Sequence, residues 1–301
     1  CCTCLRAYNH PMGFSEELTT RFHQTRLSGF VKRAPGISAV AQRWWIREQT
    51  KYFREALSPL GPPLDSAPTE AGSSQVLIPS LTDARNKLPE YVAAGEAFSD
   101  AMSEWCSTSK FISISREPES LGYQDVYAPI LSHLTDCGAR VLEIGIGVND
   151  PHARSGMSYD HQPGASLRGW SYYLKGSEVH GADIDRRVLV DTDRYTTHYV
   201  DQLDVPSIRA LAQEVGAPLD LIVDDGLHTP EANANVMTVL LPSLSPIGVM
   251  VVEDILPEYD PIWESLGGLL PSAYRCDFFP SRVLRQYRET GGGIAVITRS
   301  I

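Results

Sequence analysis

The chain has 301 residues, is 43% hydrophobic and carries a formal charge of -11, which suits one large globular domain or a domain with an appendage. Clustered Lys and Arg, which phosphate contacts require, are missing from this acidic balance, so nucleic acid is not expected as a partner and a small or neutral substrate is. No apolar run reaches membrane-spanning length and no secretory leader is evident, so no membrane partner is expected either.

Among the six cysteines, Cys1, Cys2 and Cys4 crowd together while Cys106, Cys137 and Cys276 are scattered. This is neither paired CxxC spacing nor a disulfide framework, and reduced thiols in a cytoplasmic protein are the expectation; a metal site on the three crowded cysteines lacks a companion cluster. Trp44, Trp45, Tyr52 and Phe53 are spaced for one helical face, which reads as packing against the body or a second subunit and makes a homo-oligomer the expected assembly. Residues 58–68 form a proline-rich connector that cannot be helical. Helical patterns return over 82–107 and over 123–135, the latter feeding the next strand. Residues 1–115 are thus expected as a mainly helical auxiliary region ahead of a domain over 116–301.

From 139 onward, apolar runs alternate with helical stretches, the pattern of a parallel sheet with helices on both faces. The expected fold is α/β, Rossmann-like, with seven strands at 140–145, 178–183, 196–200, 219–225, 247–253, 273–279 and 293–298. No room exists for a crossover helix between the last two, which therefore read as an antiparallel pair. The first strand ends in Glu143, Gly145 and Gly147, a turn whose backbone can come close to a ligand. A dinucleotide fingerprint needs a third glycine where this chain has Asp150, whose carboxylate repels phosphate. S-adenosylmethionine (SAM), with its cationic sulfonium and ammonium, tolerates such acids; another nucleotide and a purely structural turn remain alternatives. Residues 149–165 are long for a strand-to-helix connection and should hang over the crevice as a movable cover, with His152 and His161 as solvated loop histidines. The helix after it opens near 163–168, where Ser166 and backbone amides can meet a carboxylate.

The later strand ends hold the polar residues. Asp183, in preference to Asp185, is placed to accept from two ribose hydroxyls. Asp201 and Gln202 can meet an adenine edge or simply form a turn. The fourth strand ends in Asp224 and Asp225 with His228 three residues on, and the fifth in Glu253 and Asp254. Four carboxylates on strands about 4.8 Å apart repel unless a cation sits among them, and oxygen ligands suit Mg²⁺, Mn²⁺ or Ca²⁺. Solvated, helix-capping acids are the plain alternative.

Taken together, Glu143-Ile-Gly-Ile-Gly147, Pro163-Gly-Ala-Ser-Leu-Arg168 with Trp170, Gly181-Ala-Asp-Ile-Asp185, Asp201-Gln202, Asp224-Asp-Gly-Leu-His228 and Glu253-Asp254 resemble the metal-dependent class I SAM O-methyltransferases. The likeness is greatest to the macrolide-sugar (mycinamicin-type) enzymes and more distant to cephalosporin-biosynthesis and catechol methyltransferases. The resemblance implies SAM and Mg²⁺ as cofactors. It assigns Asp225, Glu253 and Asp254 to the metal, Asp225 and His228 to catalysis with His228 as general base, and Glu143, Gly145, Gly147, Ser166, Asp183, Asp201, Gln202 and Asp224 to the SAM site. It implies methyl transfer to a hydroxyl of a small molecule, a sugar of a glycosylated natural product being one such acceptor. It covers about the last 180 residues. Neither the N-terminal region nor the 149–165 loop matches a known acceptor-binding pattern, so no acceptor is carried over. A NAD-dependent oxidoreductase or epimerase and a non-catalytic SAM- or metal-binding module are the rival readings.

Overall fold

The computed structural model describes residues 35–61, 88–103, 121–149, 162–281, 284 and 292–300. Asp150, His152, His161, most of the 149–165 loop, most of the proline-rich connector and Cys1, Cys2, Cys4 and Cys106 lie outside them. In chain order the elements are α1 (Pro35–Leu57), α2 (Leu88–Ser103), α3 (Tyr123–Leu131), β1 (Arg140–Ile144), α4 (Ala165–Tyr173), β2 (Glu178–Asp183) and β3 (Tyr195–Tyr199). There follow α5 (Val205–Val215), β4 (Leu219–Asp224), α6 (Pro230–Leu240), β5 (Leu244–Ile255), α7 (Asp260–Leu266), β6 (Tyr274–Phe279) and β7 (Gly293–Arg299).

The strands form one seven-stranded sheet in the order β3-β2-β1-β4-β5-β7-β6. β1 through β5 run parallel, and β7 inserts antiparallel between β5 and β6. Continuous apolar runs explain the centre: Val141, Leu142, Leu221, Ile222, Val223, Val249, Met250 and Val251 are buried, as strands covered on both faces by helices must be. The sheet follows the expected strands to within a residue at each end, except at β5. β5 begins at Leu244, three residues early, because Leu219 pairs with Leu244 before a register shift absorbs Ser245-Pro-Ile-Gly248. Proline and glycine there read as a turn but sit in an irregularity of the strand.

By compactness the chain divides into residues 1–48 and 49–301. In the first unit Trp44 is 44% exposed and Trp45 is buried. In the second, the end of α1 docks on the sheet's helices. Phe53 meets Trp263 of α7 edge-on at 5.7 Å, the Tyr52 hydroxyl donates to Asn235 Oδ1 of α6 at 2.8 Å, and Thr238 Oγ1 donates to the Ala56 carbonyl at 2.9 Å. Among the described residues, Cys137 and Cys276 are free thiols and no helix is long and apolar enough to cross a membrane.

Strand order reverses at β1, which has β2 on one side and β4 on the other, so a crevice opens beyond the carboxyl ends of these strands. The turn leaving β1 is pressed against the turn leaving β4. Gly145 has φ 88°, its N–H donates to the Ala182 carbonyl at 2.8 Å, and a Cβ on it would lie 2.1 Å from the carbonyl oxygen of Asp225. That oxygen is backbone and cannot swing away. Gly145→Ala should therefore destabilise the fold by about 3 kcal/mol or more, read as a lower denaturant midpoint, and an unchanged midpoint would contradict the close approach of the two turns.

Candidate active site at the strand ends

The side chains at the strand ends sort into a buried tier and an open one. Glu143 on β1 is fully buried and accepts from the Trp170 indole N–H of α4 at 2.7 Å. Beyond it, Gly145 and Gly147 both take positive φ, the region that costs L-residues most. The Gly164 N–H donates to the Ile146 carbonyl at 2.8 Å, which ties the start of α4 to this turn and buries Ser166 in the first helical turn. Asp183 at the end of β2 accepts from the Ile146 N–H at 3.0 Å and the Asp185 N–H at 2.9 Å, so its carboxylate lies against the glycine turn. Asp185 instead grips Arg187, whose guanidinium and backbone N–H lower its pKa to about 2.

At the next strand ends the structure commits two of the expected ligand-facing residues to the protein. Gln202 donates from Nε2 to Asp224 Oδ1 at 2.6 Å, and its Oε1 accepts from the Leu227 N–H at 2.6 Å. The other oxygen of Asp224 accepts from Asn233 Nδ2 at 2.9 Å. Asp224 is fully buried, and burial pushes its carboxyl above the usual range against the opposing pull of the two amides. Asn235 Nδ2 donates to the Gln202 carbonyl at 3.0 Å, so Tyr52, Asn235, Gln202, Asp224 and Asn233 form one connected network. Asp201 accepts from the Leu203 N–H at 2.9 Å and donates its own N–H to Ser207 Oγ at 3.0 Å, as a turn residue does. Reasoning from sequence missed Asn233 and Asn235; two amides two apart in a mostly apolar helix were the available signal.

β5 carries a bulge at its acids. Val252 pairs with Ala295 and Ile255 with Gly293, three steps on one strand against two on the other. Such an extra residue bends the strand and re-aims its side chains. Glu253 is buried and accepts from the Tyr127 hydroxyl; Asp254 is exposed, with φ 50°. The Tyr123 hydroxyl donates to Asp254 Oδ1 at 2.8 Å and accepts from the Asp254 N–H at 3.0 Å. Gly292 packs so closely on this turn that a Cβ there would lie 2.3 Å from the Asp254 Cα. Burial first, and then the two carboxylates, raise the Tyr123 phenol well above its ordinary value; burial and Glu253 do the same for Tyr127.

The open tier is Asp225, His228 and Asp254, each of which offers one ligand atom within 4.8 Å of the others. A divalent ion bound at about 2.0–2.6 Å from each donor spans such a group. His228 Nδ1 is buried without a hydrogen-bond partner, and Thr229, not His228, caps α6 by accepting from the Ala232 N–H at 3.3 Å. His228, with φ 54°, and Asp254 are the two positive-φ residues other than glycine among those described, and both stand here. Strained backbone of this kind gathers at functional sites. Of the four strand-end acids, Asp225 and Asp254 belong to this group. Asp224 takes two amide donors and Glu253 a phenol, and Glu253 is not one of the group of three. Gln202→Ala should cost about 1–3 kcal/mol by leaving buried Asp224 short of a donor and should speed exchange of the Leu227 amide; an unchanged exchange rate would contradict the brace.

Residues 135–255 match the family model described as a methyltransferase domain. The 8-demethyl-8-alpha-L-rhamnosyl tetracenomycin-C 2'-O-methyltransferase of Streptomyces olivaceus is 34% identical over 47% of this chain and 34% of its own length. The mycinamicin VI 2''-O-methyltransferase of Micromonospora griseorubida is 30% identical over 64% of this chain and 48% of its own length. Among solved structures, the MycE methyltransferase of the mycinamycin pathway, in complex with Mg, SAH and mycinamycin VI, overlaps with a TM-score of 0.43 at 22% identity, covering 67% of this chain and 54% of that one. The chain spans between about a third and a half of the length of these curated relatives.

Proposed function

We propose that the chain is a SAM- and Mg²⁺-dependent O-methyltransferase acting on a hydroxyl of a small molecule, with a sugar of a glycosylated natural product as the acceptor class. The observation that carries this is the open tier of Asp225, His228 and Asp254 beside the glycine turn of β1. Similarity to two enzymes named for methylating sugar hydroxyls on natural products supports the acceptor class. Residues 116–301 are the catalytic domain in this reading, and the mainly helical region before them is auxiliary. Exposed Trp44 supports a subunit contact on α1, and the free thiols of Cys137 and Cys276 fit a reducing cytoplasm.

Asp225 and Asp254 would hold the cation, with Glu253 of the same bulge adding to an anionic, oxygen-rich set. A cation bound there polarises the acceptor hydroxyl and lowers its pKa. Glu143, Gly145, Gly147, Ser166, Asp183 and Asp201 line the SAM side, with Asp183 accepting from the ribose, while Gln202 and Asp224 act from beneath as a brace. His228 takes the hydroxyl proton as the acceptor oxygen gains the methyl group and S-adenosylhomocysteine is released. Backbone and carboxylates fix the geometry beforehand, so the reacting atoms meet without reorganisation.

A NAD-dependent oxidoreductase or epimerase fits less well, because open carboxylates at the crevice oppose a pyrophosphate. A non-catalytic module leaves the unpartnered His228 nitrogen without a task. Methyl transfer from labelled SAM to a panel of glycosylated acceptors tests the reading, with chelation expected to stop it and Mg²⁺ to restore it. Asp183→Ala should weaken SAM binding by roughly 1.5 to 3 kcal/mol. His228→Ala should keep SAM affinity and lower kcat by about 10²- to 10⁴-fold. Chelator-insensitive transfer, or near-normal turnover by His228→Ala, would overturn the metal or the base in turn.

A further inference from the structure

Tyr123 and Tyr127 lie one helical turn apart on α3, outside the strands whose ends form the site, and each meets one of two successive carboxylates on the β5 bulge. Residues four apart on a helix present one face, so a single buried face addresses both acids. Tyr123 acts at two points on one residue: its hydroxyl donates to the Asp254 carboxylate and accepts from the Asp254 N–H. These two bonds specify the side-chain direction and the backbone conformation together. Asp254 needs this, because a left-handed backbone is strained for an L-residue and persists only where its surroundings offset the strain.

The rings are themselves held. Tyr127 stacks on Phe98 with centroids 6.2 Å apart and touches Trp170 at 5.4 Å, and the Trp170 indole is the group that holds Glu143. An aromatic row thus runs under the crevice from the acid of β1 to the acids of β5.

We infer that Tyr123 and Tyr127 are positioning residues for the cation, setting Asp254 and Glu253 in their binding geometry before it arrives. This rests on the proposed reading that a divalent cation binds at Asp225, Glu253 and Asp254. Tyr123 takes one oxygen of Asp254 and Tyr127 one oxygen of Glu253. Neutral donors suit the task, since a cationic donor would compete with the ion for the same acids. Pre-setting the ligands removes an ordering cost from binding, so the phenols should show in cation affinity and not in SAM affinity.

The test is Mn²⁺ affinity, read by the electron paramagnetic resonance of free ion, for the full chain saturated with S-adenosylhomocysteine. Tyr123→Phe and Tyr127→Phe remove one oxygen each. Both should weaken Mn²⁺ by about tenfold, leave S-adenosylhomocysteine affinity unchanged and raise the metal concentration for half-maximal activity, with kcat largely recovered at saturating metal. In an Asp254→Asn background, Tyr123→Phe should cause little further loss. A variant counts only if it binds S-adenosylhomocysteine like the wild type, and either one suffices. If the wild type binds Mn²⁺ and a folded variant binds it equally well, the positioning role is overturned. If the wild type binds none, the cation reading itself fails.

Discussion

A carboxylate buried at the end of a central strand must find donors, because an unpaired buried charge costs far more than its hydrogen bonds return. Glu143, Asp224 and Glu253 are all buried at adjacent strand ends, and every one takes a neutral donor from an element packed on the sheet. Trp170 comes from α4, Asn233 from α6, Tyr127 from α3 and Gln202 from the turn after β3. This requirement fixes where the helices sit, and so it fixes the crevice. With those acids satisfied from within, Asp225, His228 and Asp254 form a separate tier at the opening.

The two tiers are mechanically linked. Gln202 holds Asp224 with one end of its amide and the Leu227 N–H with the other, so the loop that carries Asp225 and His228 is anchored to the buried layer. On β5 the same coupling is made by the bulge, which turns Glu253 inward to Tyr127 and Asp254 outward under Tyr123. Through Asn235 and Tyr52 the network reaches the end of α1. Substitutions far from the opening can therefore change its geometry through hydrogen bonds alone.

Much of the sheet was legible because buried parallel strands are written as unbroken apolar runs, as in Val141-Leu142 and Leu221-Ile222-Val223. The acids at the strand ends were legible too, since each follows such a run. What each acid touches was not. Whether Asp224 or Asp225 faces the opening depends on where Asn233 and Gln202 lie in space, 9 and 22 residues from Asp224 in sequence. Tyr123 and Tyr127 look like ordinary amphipathic helix residues until β5, more than 120 positions on, brings Glu253 and Asp254 beneath them. The bulge has no marker of its own: Asp254 adopts a conformation usually left to glycine, while the glycine that makes room for it, Gly292, stands just before β7.

The central claim is that Glu143 and Asp224 are committed to the protein while Asp225 and Asp254, with Glu253 behind them on the β5 bulge, hold a cation. Anomalous diffraction from crystals grown with Mn²⁺ and S-adenosylhomocysteine tests this most directly. The account predicts one strong manganese peak bounded by the carboxylates of Asp225 and Asp254 over the β5 bulge, with Asp224 still bonded to Gln202 and Asn233. A site-bound manganese absent from these strand ends, or one reached by Asp224 turned away from its amides, would contradict it.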